Sequence, residues 1–201
     1  MLRKFALVGA AGSVLALGAF VTPASAAPAG GGCTLQGQAN LTPGLNTSSQ
    51  PFTYNFGGNL TGCQSVPPGA PGTGTVSAGQ TITVGGVKYQ EPASSGTGGC
   101  VSSTTSGTAI VQWADGTNTV ETYSTTGALA AVVFSGSVVP SVTLTAVPPA
   151  TGTTTVTTTR YGGASSLGVL AFQPPDPTAC NTAAGVGVAG ISGFISLAAT
   201  S

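Results

Sequence analysis

Outside its first few residues, the chain carries four acids, Glu91, Asp115, Glu121 and Asp176, two bases, Lys88 and Arg160, and four cysteines; it has no histidine at all. Without an imidazole, Ser-His-Asp and Cys-His nucleophilic machinery and histidine metal sites are excluded. One catalytic arrangement survives, a pair of carboxylates of the kind that hydrolyses glycosides, with Asp115 and Glu121 facing each other across a hairpin. Each carboxylate also has a structural explanation. Asp115 precedes Gly116, where aspartate is favoured because it bonds its own turn backbone. Glu121 follows Val120 on a strand and reads as an outward, solvent-facing residue, while Glu91 and Asp176 adjoin Pro92 and Pro177 in loops. The expectation is therefore no catalytic residue, with a glycoside hydrolase as the alternative.

Cys33, Cys63, Cys100 and Cys180 contain no Cys-x-x-Cys spacing, so they do not read as a zinc site, and no metal is expected. An even number in a secreted chain reads as two disulfides, for which three connectivities exist. The Pro- and Gly-rich stretch between the two pairs favours Cys33–Cys63 and Cys100–Cys180. No glycine-rich phosphate loop precedes a helix, and no cofactor is expected. For ligand contact the candidates are aromatic. Phe52, Tyr54 and Phe56 alternate onto one face of a strand, and Trp113 is the only tryptophan. They read either as core or as a stacking platform for a sugar.

Positioning these residues requires strands. Val, Thr, Ser and Gly dominate, charged residues make up 4%, and apolar residues 41%, so the chain is too apolar for disorder and too poor in Glu, Lys, Arg and Met for many helices. Residues 33–41 alternate cleanly, with Cys33, Leu35, Ala39 and Leu41 on one face. Gly85 and Gly86 mark one tight hairpin. Asp115 and Gly116 mark another, which a two-residue type I′ turn would close. Residues 128–139 form an apolar run that reads as buried on both faces, and the threonine run at 153–159 reads as an exposed edge strand. The uncharged tail, residues 183–199, reads as one or two core strands, with a helical membrane anchor as the alternative. Ten to twelve strands separated by regular turns predict an all-β fold: a disulfide-stabilised antiparallel β-sandwich, or an open barrel, with Gly/Pro-rich loops.

Residues 1–26 have the form of a secretory signal peptide: Arg3 and Lys4, an apolar stretch, and Ala24, Ser25 and Ala26 as a small-residue cleavage site. Residues 27–32 read as a flexible mature N-terminus, and 33–201 as the folded domain, with 33–98 and 99–201 as optional sub-modules. After the leader, two bases against four acids leave a formal charge of −2, which gives no electrostatic footprint for nucleic acid or an anionic membrane. The leader and the stretches Ser49-Gln-Pro-Phe-Thr-Tyr54, Gly107-Thr-Ala-Ile-Val-Gln-Trp113, Thr126-Gly-Ala-Leu-Ala-Ala131 and Asp176-Pro-Thr-Ala-Cys180 resemble small secreted β-rich proteins of Gram-positive bacteria with GC-rich genomes. That resemblance implies compartment and β-fold, and carries no activity or site residue. The functional expectation is a secreted extracellular or cell-surface structural or binding module without catalysis, its partner an extracellular protein or a polysaccharide. Alternatives are a carbohydrate-binding protein and an envelope-associated or self-assembling one.

Overall fold

The computed structural model describes residues 30–66, 69 and 71–199; the leader at 1–26 and its cleavage point lie outside them. The strands are β1 (Gly30–Leu45), β2 (Gln50–Val66), β3 (Gly74–Ala78), β4 (Thr81–Val84), β5 (Val87–Gln90), β6 (Ser94–Gly98), β7 (Ser102–Trp113), β8 (Asn118–Ala128), β9 (Ala131–Val139), β10 (Ser141–Ala146), β11 (Thr153–Thr157), β12 (Ala164–Gln173) and β13 (Val186–Ala199). A 3₁₀ turn, Pro177–Asn181, precedes β13, its first turn capped by Asp176, whose side chain accepts the Thr178 N–H.

Every pairing is antiparallel. The wall runs β1, β13, β12, β9, β8, β7, β3, β2, and β2 bonds back to β1, closing an eight-strand barrel. The all-β, disulfide-stapled expectation holds, and of its two architectures the structure adopts the barrel, closed rather than open. One wall position is composite. β3 pairs with Phe56 to Leu60 of β2 and with β7 near Trp113, while β6 continues in the same direction along Gln50 to Tyr54 and the start of β7. Between them, residues 79–93 leave the wall as the β4–β5 hairpin.

That hairpin and the β10–β11 hairpin join into a small second sheet, ordered β11-β10-β5-β4. It covers the outside of β7 and β8. Ile110 and Val120 point outward from the barrel and are buried against Leu144 and Val156, flanked by Ile82, Val84 and Tyr89. Ile110→Val should therefore cost about 0.5–1.5 kcal/mol in denaturant unfolding. Thr122→Val, on an exposed outward position of β8, should stay within about 0.5 kcal/mol. Equal effects at the two positions would contradict the covering role.

Strand alternation sorts the wall. On β1, Cys33, Leu35, Ala39 and Leu41 are buried, while Thr34, Gln36, Gln38 and Asn40 are exposed. One end of the interior holds Cys33, Leu35, Leu60, Trp113, Phe134 and Leu170; the other holds Leu41, Leu45, Phe52, Val186 and Ala189. Cys33–Cys63 ties β1 to β2, and Cys100–Cys180 ties the turn before β7 to the 3₁₀ turn, the pairing expected from the Pro- and Gly-rich stretch between the two pairs. On the outer face an apolar row crosses β9, β12 and β13, where Val169 lies between Val133 and Phe194, all three exposed.

Several expectations need correction. Gly30 to Gly32 are not a loose lead-in; they already pair with Ala198 to Ser196 of β13. The 33–98 and 99–201 halves are not separate modules, because the barrel wall draws strands from both. The tail is wall strand β13, and among the described residues no helix is long and apolar enough to cross a membrane. Residues 128–139 are not buried on both faces: Leu129 sits exposed in the β8–β9 turn with φ 55°, and Val133 faces outward. The threonine run does form an edge strand, β11. Finally, the Asp115 turn is not type I′. Trp113 N–H donates to Thr117 O and Gly116 N–H to Trp113 O, and Gly116 alone has a positive φ, 80°. This is a three-residue loop with its left-handed position filled by glycine.

Candidate binding site inside the barrel

The inward side chains do not fill the barrel. They leave a cavity of about 150 Å³ lined by Leu35, Phe56, Leu60, Val111, Phe134 and Leu170, among others. Eight strands make an interior that side chains can just fill or that can hold one small ligand.

Most polar groups facing this interior satisfy one another. Tyr54 Oη lies 2.7 Å from Tyr123 Oη and 3.1 Å from Thr105 Oγ1, Thr105 Oγ1 lies 2.7 Å from Thr125 Oγ1, and Tyr123 donates to Ser94 Oγ at 3.3 Å. Burial raises the pKa of both tyrosines, and the proximity of Tyr54 raises that of Tyr123 further. The Tyr123 ring also stacks on Phe134 at 5.4 Å. At the far end Trp113 Nε1–H donates to Thr119 Oγ1 at 2.9 Å, and Thr119 donates to the Arg160 carbonyl. The Tyr161 ring meets Trp113 edge-on at 5.6 Å and packs against that end of the core.

Two buried groups beside the interior are left over, Glu121, which lines the cavity, and Ser166, which does not. Glu121, 6% exposed, and Ser166, 1% exposed, have no hydrogen-bond partner for Oε1 and Oγ respectively. Both atoms lie over Gly136, where an added Cβ would collide with them. Burial pushes the Glu121 carboxyl up to about 7.

The sequence-predicted residues fall as follows. Trp113 and Phe52 are each 4% exposed, and Tyr54 and Phe56 are half-buried; all four line the interior. The shared face of Phe52, Tyr54 and Phe56 is real, but it is the inner face, so they do not form a solvent-facing stacking platform. Glu121 is likewise inward and not on the solvent face. Asp115 stays on the exposed turn, where Oδ1 accepts the Thr117 hydroxyl at 2.6 Å and the Thr117 N–H at 3.1 Å. Its Oδ2 pairs with Arg160 Nη2 at 2.6 Å. The Thr117 bonds, then Arg160, hold its carboxyl below the usual range. Asp115 and Glu121 thus occupy the outside and inside of the wall and do not make a carboxylate pair. Glu91 is in its loop but almost wholly buried, accepting Ser77 Oγ at 2.5 Å and the Gln80 N–H at 2.9 Å, with its pKa raised by burial against those two bonds. Among the described residues no three His, Cys, Asp or Glu side chains converge where they could hold a metal. No motif in the sequence marks Ser166 or Gly136, but Ser166 shares parity with Leu170, and that alternation puts it on the inward face.

A second, polar recess of about 320 Å³ opens where the composite wall position is interrupted, lined by Asn40, Thr42, Asn55, Gln90 and Glu91 and reaching Tyr54 and Ser94. The chain matches no protein-family model, and no curated protein or solved structure matches it.

Proposed function

We propose that this protein is an extracellular, non-catalytic binding module whose barrel interior takes up a small, largely apolar molecule. The observation that carries the reading is the cavity of about 150 Å³ lined mostly by apolar side chains. Cavities of about this size lined by aliphatic and aromatic groups stay dry and accept a benzene-sized guest. The two disulfides and the leader support the compartment. The separation of Asp115 from Glu121 supports the absence of a glycosidase pair. A membrane barrel has a continuous outer apolar band and a polar lumen; here the interior is mostly apolar, the outside of β1 carries Thr, Gln and Asn, and the large exposed apolar strand residues are, among the described residues, confined to β9, β12 and β13, which supports a barrel that is not inserted.

Thermal unfolding with a panel of single-ring and short-chain compounds tests the reading, with Trp113 fluorescence as the second readout. A guest at about one hundred times its Kd should stabilise the fold by about 2.7 kcal/mol. If no compound raises Tm, the interior is not a binding site. The polar recess at Asn55 and Gln90 favours a second reading, a carbohydrate ligand. The same titration with monosaccharides, and Asn55→Ala as control, separates the two.

A further inference from the structure

We infer that the interior site selects a small primary amine, an ammonium head on a benzene-sized apolar body, with the head seated on the carboxylate of Glu121, which lines the cavity, and reaching Ser166 Oγ beside it over Gly136. This rests on the interior-binding reading above and names the ligand class. The barrel contains two unmet hydrogen-bonding oxygens that converge over one glycine. Leaving such atoms buried and unpaired costs free energy, and a partner that satisfies both recovers it. An alcohol brings one donor. A primary ammonium brings three, so it can serve both oxygens at once.

Charge points the same way. Among the described residues Glu121 is the one carboxyl facing the cavity, and no base faces it: Arg160 is paired with Asp115 at the outer turn, and Lys88 is exposed on β5. The neighbours of Glu121 are apolar or neutral. On β7 it faces Ala109, on β9 Val138 and Gly136, and Ser166 comes from β12. The next inward group on its own strand is Tyr123, hydrogen-bonded within the tyrosine–threonine cluster. An ammonium would therefore be the only counter-ion in the site, and its approach would stabilise the ionised carboxylate. Tyr54, Tyr123, Thr105, Thr125 and Thr119, also facing the interior, already have partners, so they compete little for the head.

The probes are toluene, benzyl alcohol and benzylamine, titrated calorimetrically into the intact, oxidised protein and into Glu121→Gln and Ser166→Ala. Near-UV circular dichroism checks that each variant is folded. In the wild type at about pH 8, benzylamine should bind at least about tenfold more tightly than toluene. That preference should collapse in Glu121→Gln and fall several-fold in Ser166→Ala. It should also narrow below about pH 7, as the Glu121 carboxyl takes up its proton. Equal binding of toluene and benzylamine, unchanged by Glu121→Gln, would overturn the assignment while leaving the interior reading intact. Benzyl alcohol binding as tightly as benzylamine would overturn the ammonium head. Binding of none of the three would remove the interior reading itself.

Discussion

Raising the pH from 4.5 through about 7 should destabilise the wild-type protein by about 3 kcal/mol, and Glu121→Gln should abolish most of that loss. The direction follows from the raised carboxyl. Below pH 4.5 Glu121 is protonated whether the chain is folded or not, and it makes no difference. Between 4.5 and about 7 the folded state keeps a proton that the unfolded chain gives up. Above that window both states are ionised, and the fold bears the whole cost of an unpaired buried carboxylate. Glu91, also raised by burial, adds a loss of the same sign. Asp115 and Asp176, held below their ordinary value by bonds from their own turns, act in the opposite sense, but at pH values below this window. Urea unfolding as a function of pH measures the effect. A flat wild-type profile, or an equal slope in Glu121→Gln, would mean that the carboxyl is not buried as described. The same variant should be more stable than wild type at pH 8, an unusual outcome for a buried substitution.

Removing the Cys100–Cys180 bridge, as Cys100→Ala with Cys180→Ala, should cost about 4.5 kcal/mol by loop-closure entropy, within a usual range of about 2–5. The two residues are 80 apart in sequence. The bridge clamps the 3₁₀ turn and the start of β13 to the turn before β7, on opposite sides of one barrel mouth. Cys33–Cys63 closes a separation of 30, for which the same model gives about 3.7 kcal/mol, and its strands β1 and β2 are already zipped by backbone bonds. Denaturation midpoints of the two double variants should rank in that order. A larger loss for the Cys33–Cys63 pair would show that unfolded-chain entropy does not set these values.

How far the sequence leads to the site turns on one residue of register. Alternation sets Ala109, Val111 and Trp113 on one face of β7, and all three are buried and line the interior. The Asp115-Gly116 pair, taken as a two-residue turn, would set Glu121 opposite Ile110 and hence on the other face. The actual loop has one residue more, so Glu121 lies opposite Ala109 and shares the inward face of Trp113. A single-residue shift exchanges every side chain between the faces of a strand. The apolar neighbour reinforced the error. Val120 is buried, but beneath the second sheet and outside the barrel, and a sheet built from two distant hairpins leaves no local trace in β8. The Phe52, Tyr54 and Phe56 row, in contrast, depended only on period two and fell on a single face as expected. Disulfide pairing was legible because it followed the order of the chain. Closure of the barrel was not, since it requires β1 to find a strand more than 140 residues later.

The covering sheet has a consequence for association between molecules. In the barrel wall every strand has a neighbour on both sides, so its backbone offers no template for another chain. Among the described residues, free strand margins remain only at β4 and β11, the two outer members of the small sheet. β4 is four residues long, and β11 is threonine except for Val156, which is buried. Such short edge strands are poor templates for strand addition. A chain with almost no charge to keep its copies apart thus relies on geometry, having tucked away or shortened every backbone edge through which like molecules could zip together.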